Sequence, residues 1–204
     1  MGRFLVFEGG EGSGKSTQAR LLADRWDAEI TFEPGGTEVG GRLREILLDP
    51  ATGDLDVRAE ALLMAADRAH HVTTCIRPWL NRGRDVVCDR FVGSSLAYQG
   101  YGRGLDVHHV AALSAFATDG LVPDLVVLLE VPAEEAARRL LAAGKPDRME
   151  AAGQEFHARV ADGYRQLAAA DPSHWIVVDG EGPVDAVADR VLLAVNERLP
   201  SFPS

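Results

Sequence analysis

The chain has 204 residues, of which 46% are hydrophobic and 25% are charged, and its formal net charge is −10. This composition is typical of a soluble globular protein, and we expect one domain, residues 1–204. The negative charge argues against a broad nucleic-acid surface, which needs clustered positive residues. The apolar run at residues 4–7 is too short for a signal peptide or a membrane span. The two cysteines, Cys75 and Cys88, indicate no disulfide framework, so we expect a cytoplasmic protein.

Short apolar runs alternate with helical patterns along the chain. Buried strands are predicted at residues 4–7, 29–32, 85–88, 125–129 and 175–178, the second being the weakest. Helices are predicted at residues 15–27, 37–48, 56–81, 107–118, 133–143, 153–170 and 183–196. Buried strands separated by helices predict an α/β fold, in which a parallel sheet carries helices on both faces.

The segments that follow the first three predicted strands are rich in glycine or charge: residues 8–17, 33–37 and 89–91. In a parallel α/β sheet, ligands bind in the crevice at the carboxyl ends of the strands. These three segments are therefore expected to meet at one site.

The first of these segments contains a phosphate-loop motif, Gly-x4-Gly-Lys-Ser, between a predicted strand and a predicted helix. Its glycines let backbone N–H groups curl around a phosphate, and the helix N-terminus adds positive potential. Lys15 can reach the β- and γ-phosphates, and the Ser16 hydroxyl can hold Mg²⁺. We predict ATP or GTP binding by Gly9, Gly10, Glu11, Gly12, Ser13, Gly14, Lys15, Ser16 and Thr17.

Three classes of phosphate-loop protein compete: a nucleoside monophosphate kinase, a GTPase switch and a nucleotide-binding scaffold without chemistry. A GTPase needs an Asn/Thr-Lys-x-Asp guanine reader after a strand. The nearest match, residues 144–147, begins with Gly and lies between two predicted helices, so this class is rejected. A scaffold needs no second site, whereas this chain supplies polar groups for one.

Polar side chains in the helix before the third predicted strand and in the segment after it indicate a second binding site. Met64 and Arg68 are four residues apart and project from one face of the helix predicted at 56–81. Arg90, next to the phosphate loop, suits an acceptor phosphate, because a guanidinium matches phosphate oxygens bidentately. If residues 93–100 are helical, hydrogen-bonding groups suited to a sugar and a base lie one turn apart: Ser94 beside Tyr98, and Ser95 beside Gln99.

The motifs together resemble bacterial thymidylate kinases along nearly the whole chain: FEGGEGSGKST, EPGGTEVG, LLMAADRAHHV, DRFVGSSLAYQGYGRG, PDLVVLLEV and DRME. The resemblance implies a three-layer P-loop NTPase fold with a five-stranded parallel sheet and a mobile lid. It implies transfer of the γ-phosphate of ATP to dTMP, giving dTDP and ADP for dTTP biosynthesis, with Mg²⁺ and a homodimeric assembly. The first alternative is another deoxynucleoside monophosphate kinase, and the less favoured one is a nucleotide-binding protein without kinase activity.

Individual roles are also implied by this resemblance. The base of dTMP is contacted by Arg68 at the thymine carbonyl, with Ser95 and Gln99 near the ring. The sugar is contacted by Glu11 at the 3′-hydroxyl and by Tyr98 at the 2′ position, and the phosphate by Arg44 and Arg90. Glu33 and Met64 belong to the same acceptor site. Asp89 resembles the acid that helps to organise Mg²⁺ and the acceptor phosphate, and Ser16 is the other metal ligand.

The chain departs from the family pattern at two acceptor-site positions and at one in the phosphate loop. Phe32 stands where the family usually has Arg, and Met64 stands where it usually stacks a Phe on thymine, although a thioether can still cover a ring. Gly12 stands where some members have a catalytic Arg, so positive charge has to come from elsewhere.

The segment at about 138–153 resembles the family's lid, which closes over ATP, with helix breakers at Gly144 and Pro146. Arg138 and Lys145 are predicted to bind ATP, and Arg148 to meet charge in the transition state. The predicted catalytic residues are Lys15, Asp89, Arg90 and Arg148. The adjacent histidines at 70–71 and 108–109 cannot share a helix face as metal ligands do, and surface or interface positions are predicted for them.

Overall fold

The computed structural model of the chain describes residues 1–143 and 146–199. Its strands are β1 (Phe4–Glu8), β2 (Glu29–Phe32), β3 (Val86–Asp89), β4 (Leu125–Glu130) and β5 (Trp175–Asp179). All of them run parallel in one sheet, in the order β2-β3-β1-β4-β5. Hydrophobic clusters and helices cover both faces, so the predicted fold class and strand number are confirmed.

The helices connect the strands and pack on the sheet. They are α1 (Lys15–Trp26), α2 (Glu38–Leu48), α3 (Val57–His71), α4 (Arg77–Asn81), α5 (Val92–Ser95), α6 (Val107–Thr118), α7 (Ala133–Ala143), α8 (Gln154–Ala170) and α9 (Val184–Arg198). Among the residues that the structure describes, no helix has the length and apolar character to cross a membrane.

The centre of the core is β1, whose five residues are all buried between β3 and β4. Leu5 and Phe7 pack with α1 and α9 on one face, whereas Phe4 and Val6 pack with α4 and the segment before it on the other. Fully burying one such side chain stabilises the fold by about 1.5–3 kcal/mol. This packing fixes the carboxyl ends of β1 and β3 side by side, with Phe7 paired to Asp89.

Within the described part of the chain, the edge strand β2 is hydrogen-bonded only to β3. Its Thr31 is buried, but Ile30 and Phe32 are each 44% exposed. The prediction of a buried strand at 29–32 is therefore right in position and wrong in burial, because an edge strand has a neighbour on one side only.

Two helical stretches widen into π-helical turns. The helix predicted at 56–81 is continuous as α3 and α4, joined by the π-helical segment Val72–Ile76, and Pro78 in α4 lacks the N–H group of a regular helix. The second stretch starts as α5 and continues as the π-helical segment Leu96–Gly102. Such turns occur frequently at functional sites, and this one contains Tyr98 and Gln99.

Candidate active site

A cavity of about 530 Å³ opens at the carboxyl ends of β1, β2 and β3, as predicted from the three loop segments. Its lining brings together the predicted acceptor-site and metal-site residues with part of the phosphate loop: Glu11, Lys15, Ser16, Glu33, Arg44, Met64, Arg68, Asp89, Arg90, Ser95, Tyr98 and Gln99. These residues come from separate segments of the chain, so one cavity joins the phosphate loop to the predicted acceptor site.

The phosphate loop is shaped by glycines with positive φ angles. Gly14 is the N-cap of α1 with φ 90°, a conformation that favours glycine. Gly12 has φ 73°, and a Cβ atom there would lie 2.6 Å from the carbonyl oxygen of Ala136 in α7. An arginine at this position would require α7 to shift, which accounts for the glycine of this chain.

Lys15 is buried in the cavity wall, 6% exposed, and its Nζ donates to the carbonyl oxygen of Gly10 at 3.3 Å. The Lys15 Nζ also lies 3.8 Å from Glu11 Oε2. Burial, followed by the charge of Arg90, lowers the pKa of Lys15 from its usual 10.5. A buried ammonium without a closer counter-charge is unfavourable. Such a group is expected where an anionic ligand supplies the missing counter-charge.

Arg90 follows β3 with φ 72°, an uncommon conformation for a residue other than glycine. Its guanidinium donates to Glu11 Oε1 at 2.6 Å, to the Tyr98 hydroxyl at 3.1 Å and to the Tyr164 hydroxyl at 3.1 Å. It also donates to the carbonyl oxygen of Gly9 at 3.1 Å. These contacts place a fixed positive charge between the phosphate loop and the acceptor site.

Glu11 is held as a carboxylate by its neighbours. Burial raises the pKa of Glu11, but Arg90, Lys15 and the hydroxyl of Tyr98 outweigh burial and bring the pKa from 4.5 to about 2. The Tyr98 hydroxyl donates to Glu11 Oε1 at 2.7 Å. This tyrosine is thereby fixed in the cavity wall by its polar tip rather than by packing alone.

Arg68 forms the other polar part of the cavity and is 2% exposed. It donates to Glu33 Oε2 at 2.7 Å, to the Ser95 hydroxyl at 3.0 Å and to the carbonyl oxygen of Phe91 at 2.9 Å. A guanidinium carries five N–H groups, and these contacts use three of them. The others remain for a ligand that presents acceptors.

His71 is fully buried beneath this arginine, so the predicted surface or interface position is wrong for it. Its Nδ1 lies 2.9 Å from Glu33 Oε1, and its Nε2 lies 2.6 Å from the Thr31 hydroxyl. Two adjacent histidines face different sides of a helix, and which ring faces inward depends on how α3 packs.

Asp67 lines the same part of the cavity and is fully buried. Its Oδ1 accepts from the Gly35 N–H at 3.1 Å, and its Oδ2 has no hydrogen-bond partner within residues 1–143 and 146–199. Burial first, and then the charge of Glu33, raise the pKa of Asp67 from 3.8 to about 6. At neutral pH this carboxyl group is still mostly ionised, but it takes up a proton at a higher pH than an ordinary aspartate.

Arg44 lines the cavity from α2, where it donates to the carbonyl oxygen of Pro34 at 2.7 Å. Its guanidinium carbon lies 5.7 Å from the centre of the Phe32 ring. Phe32 at the end of β2 is therefore in contact with a cation of α2.

The two predicted metal ligands, Ser16 and Asp89, both line the cavity. Asp89 Oδ1 is buried and has no hydrogen-bond partner among the residues that the structure describes. A hydroxyl and a carboxylate are the hard oxygen donors that Mg²⁺ prefers, so these residues fit that ion. The described part of the chain contains no group of three or more His, Cys, Asp or Glu side chains arranged to hold a metal.

Two of the predicted lid cations, Arg138 and Arg148, do not line the cavity. Arg138 is exposed and pairs with Glu135 at 2.7 Å. Arg148 donates to Glu60 Oε2 at 2.6 Å and to the carbonyl oxygen of Leu47 at 2.7 Å, so the structure does not bring it to the phosphate loop. Lys145 and Gly144 lie outside the described residues. The roles assigned to these cations stay predictions.

Several site residues were not identified from the sequence. Tyr164 donates to Glu8 Oε2 at 2.9 Å and contacts Arg90, and a hydroxyl inside the apolar stripe of a helix is a signal that could have revealed it. Arg139 donates to the loop carbonyl oxygens of Gly12 and Ser13 at 3.4 and 3.3 Å. Its partners could not be read from sequence, since they lie far away along the chain.

Known proteins match the chain along most of its length. A family model described as thymidylate kinase matches residues 7–191. The chain is 50% identical to a thymidylate kinase of Cutibacterium acnes, covering 97% of this chain and 98% of that protein. It is 47% identical to a thymidylate kinase of Pelotomaculum thermopropionicum, covering 98% and 96%. A crystal structure of thymidylate kinase from Ehrlichia chaffeensis shares the fold with a TM-score of 0.79 at 30% identity, covering 96% of this chain and 100% of that chain. The chain therefore belongs to the thymidylate kinase family.

Proposed function

We propose that this chain transfers the γ-phosphate of ATP to dTMP, giving dTDP and ADP. The observation that carries the proposal is Arg68, a buried arginine that lines the cavity with N–H groups left for a ligand. Thymine presents a carbonyl oxygen at ring position 4, and a buried donor favours a base with an acceptor there. Met64, four residues earlier in α3, also lines the cavity and supplies apolar surface for the ring.

The sugar and phosphate of dTMP fit the part of the cavity around Arg90. The Tyr98 hydroxyl and the Glu11 carboxylate lie 2.7 Å apart, and both residues are proposed to meet the deoxyribose, the tyrosine ring at the 2′ position and the carboxylate at the 3′-hydroxyl. Arg90 and Arg44 are the cations for the acceptor phosphate, and Glu33 holds Arg68 in place.

The reaction needs no general base, because the attacking phosphate oxygen of dTMP is already ionised at neutral pH. That oxygen forms a bond to the γ-phosphorus, the bond from the γ-phosphorus to the bridging oxygen breaks, and ADP leaves. Lys15 and Arg90 neutralise charge on the phosphates and hold donor and acceptor in line. Asp89, at the carboxyl end of β3, and Arg148 in the lid complete the proposed catalytic set.

Mg²⁺ is the proposed cofactor, with Ser16 and Asp89 as its protein ligands. When bound, the ion neutralises negative charge on the β- and γ-phosphates of ATP. The buried and unpartnered Oδ1 of Asp89 supports this assignment.

ATP is proposed to bind along the loop from Gly9 to Thr17. The lid, residues 138–153, is proposed to close over it and to bring Arg138, Lys145 and Arg148 nearer the phosphates. For Arg148 this requires release from Glu60, with which it pairs at 2.6 Å. Residues 1–204 are proposed to act as one domain in the cytoplasm.

A homodimer is proposed through the face formed by α2, α3 and α6, which pack side by side. Each of these helices presents exposed apolar side chains: Val39 and Ile46 on α2, Leu62 on α3, and Phe116, 86% exposed, on α6. In sedimentation equilibrium, Phe116→Asp should shift the protein toward monomer, whereas Leu193→Asp on the exposed face of α9 should not. A wild-type monomer at micromolar concentration would contradict this assignment.

The function is tested by a coupled assay of ADP release with ATP and a panel of nucleoside monophosphates. The expected result is acceptor-dependent ADP formation, fastest with dTMP. ATP binding without acceptor-dependent ADP would indicate a scaffold, and a preference for another monophosphate would leave only a general kinase.

A further inference from the structure

A buried carboxylate, Glu60, lies beside the acceptor site and belongs to none of the motifs described above. It sits in the first turn of α3 and is fully buried. Its Oε2 accepts from Arg148 at 2.6 Å and from the Arg103 NH2 group at 3.2 Å. Its Oε1 accepts from Arg103 Nε at 3.2 Å and from Gln99 Nε2 at 3.0 Å.

The ionised state of Glu60 is fixed by these donors. Burial raises the pKa of Glu60, but the hydrogen bonds from Gln99, Arg103 and Arg148 outweigh burial and lower the pKa below its usual value. At neutral pH the group is therefore a carboxylate, which accepts hydrogen bonds and donates none.

The carboxylate of Glu60 determines the orientation of the Gln99 amide, which is 1% exposed and lines the cavity. An amide has a donor end and an acceptor end, and a carboxylate neighbour accepts only the donor end. The NH2 group of Gln99 must point to Glu60, and its carbonyl oxygen is left as an acceptor. Within the described residues, that oxygen has no hydrogen-bond partner in the protein.

We propose that Glu60 is a positioning residue that fixes the Gln99 amide so that its carbonyl oxygen selects a base with a donor at ring N3. The inference rests on the proposed function. Thymine and uracil carry N3–H together with an oxygen at position 4, whereas cytosine carries an N3 acceptor and a 4-amino group. Arg68 as donor and the Gln99 carbonyl as acceptor match the first pattern at both atoms and cytosine at neither.

The Glu60→Gln substitution tests this because it keeps the shape and changes the donor pattern. Two guanidinium NH2 groups donate at the Oε2 position and one guanidinium Nε–H, from Arg103, donates at the Oε1 position, so we expect the new carbonyl at the Oε2 position, where it keeps two of these three bonds. The new NH2 group then faces Gln99, whose amide has to turn and present its own NH2 group to the cavity. Discrimination at N3 is thereby inverted, while Arg68 is unchanged.

The experiment measures kcat/KM for dTMP and dCMP in wild type, Glu60→Gln, Gln99→Met and the double variant, with melting temperatures. We expect Glu60→Gln to lower the dTMP-to-dCMP ratio roughly tenfold, and Gln99→Met to lower it similarly. Glu60→Gln should have no further effect in the Gln99→Met background, since the two act through one group. Glu45→Gln, an exposed position on α2, is the matched control and should leave the ratio unchanged.

An unchanged ratio in folded Glu60→Gln, or an equal loss in the Gln99→Met background, would overturn the inference. If Glu60→Gln does not fold, an unchanged ratio in Gln99→Met overturns it as well. A wild-type enzyme inactive on dTMP would instead overturn the proposed function, so the two failures are distinguishable.

Discussion

Two carboxyl groups line different parts of the cavity, and their pKa values move in opposite directions. The pKa of Glu11 falls to about 2, whereas that of Asp67 rises to about 6. Burial raises both, so the neighbours decide the outcome. Glu11 lies between Arg90 and Lys15, while Asp67 lies near a second carboxylate, Glu33, which already uses Arg68 as its partner.

The difference shows how one cavity can bind two kinds of group. Around Glu11 two cations, Lys15 and Arg90, lie within 3.8 Å of one carboxylate, and such cations suit the negative charge of phosphates. Around Asp67 the acids match or exceed the cations, so this part has no surplus positive charge and suits a neutral base read by hydrogen bonds. Removing a cation near Glu11 should therefore lower turnover, whereas removing a cation near Asp67 should change base selectivity or the stability of the fold.

The largest effect is expected from Lys15→Ala, in the phosphate part. We expect kcat/KM to fall by about 10³-fold or more, because the lysine meets the transferred phosphate. The melting temperature should hold, since burial of this ammonium is unfavourable and its pKa is lowered. Steady-state kinetics with thermal unfolding check both, with Arg25→Ala on the same helix as control. Near-normal activity would remove the phosphate assignment.

Arg148→Ala should have the next largest effect. Arg148 holds the segment that contains Met149, a cavity-lining residue, against Glu60 and Leu47. We expect kcat to fall about 100-fold, because the proposed lid closure brings Arg148 to the phosphates, and the KM for dTMP to rise less, about tenfold, because the contacts that hold Met149 are lost. Initial-rate kinetics over a range of dTMP concentrations measure the two constants separately. A rise in KM with kcat unchanged would show that Arg148 only positions the substrate, and it would contradict the proposed catalytic role.

Asp67→Asn changes the part of the cavity around Arg68, and we expect it to alter the free energy of unfolding. Because the folded-state pKa of about 6 is above the usual 3.8, the carboxyl stabilises the fold most at low pH. That contribution is lost as the pH rises through 6. Glu33 opposes its ionisation, whereas His71, Arg68 and the Gly35 N–H favour it.

At pH 8 the asparagine variant should therefore be more stable by about 1–2 kcal/mol, with no gain at pH 4. Urea unfolding at both pH values measures this difference, and exposed Asp24→Asn serves as the control. Destabilisation at pH 8 would show that the carboxylate is needed for more than the Gly35 contact.

The smallest effect is expected from Met64→Phe. A rigid ring should cover thymine better than a flexible thioether, so kcat/KM for dTMP should improve up to about threefold or stay the same. Parallel measurements with dUMP report whether the 5-methyl group is read more sharply. A large loss for dTMP would show that the cavity has no room for the ring.

Features that depend on neighbouring residues in the chain were predictable. The phosphate loop follows a buried strand and opens α1, so its sequence alone identified Lys15 and Ser16 as cavity residues. The parallel sheet was predictable for the same reason, since each strand is an apolar run with its own boundaries. The i,i+4 spacing correctly placed Met64 and Arg68 on one wall of the cavity.

Features that depend on partners far away along the chain were not predictable from the sequence. Glu60 meets Arg148 across 88 positions of the chain, and Tyr164 meets Glu8 across 156, so no local pattern indicates these contacts. His71 was misjudged because its burial follows from the packing of α3 against Glu33 and Thr31. The raised pKa of Asp67 likewise depends on a second carboxylate from another segment.

The central claim is that Arg68 selects the acceptor base, and kcat/KM for dTMP, dUMP, dCMP and dGMP in wild type and Arg68→Ala tests it most directly. In wild type, dCMP should be poorer than dTMP by roughly 30- to 1000-fold, because its amine faces a buried donor. In Arg68→Ala, the activity with dTMP should fall and the difference from dCMP should largely disappear. A wild-type preference for dCMP or dGMP, or a selectivity that survives the loss of Arg68, would contradict the account.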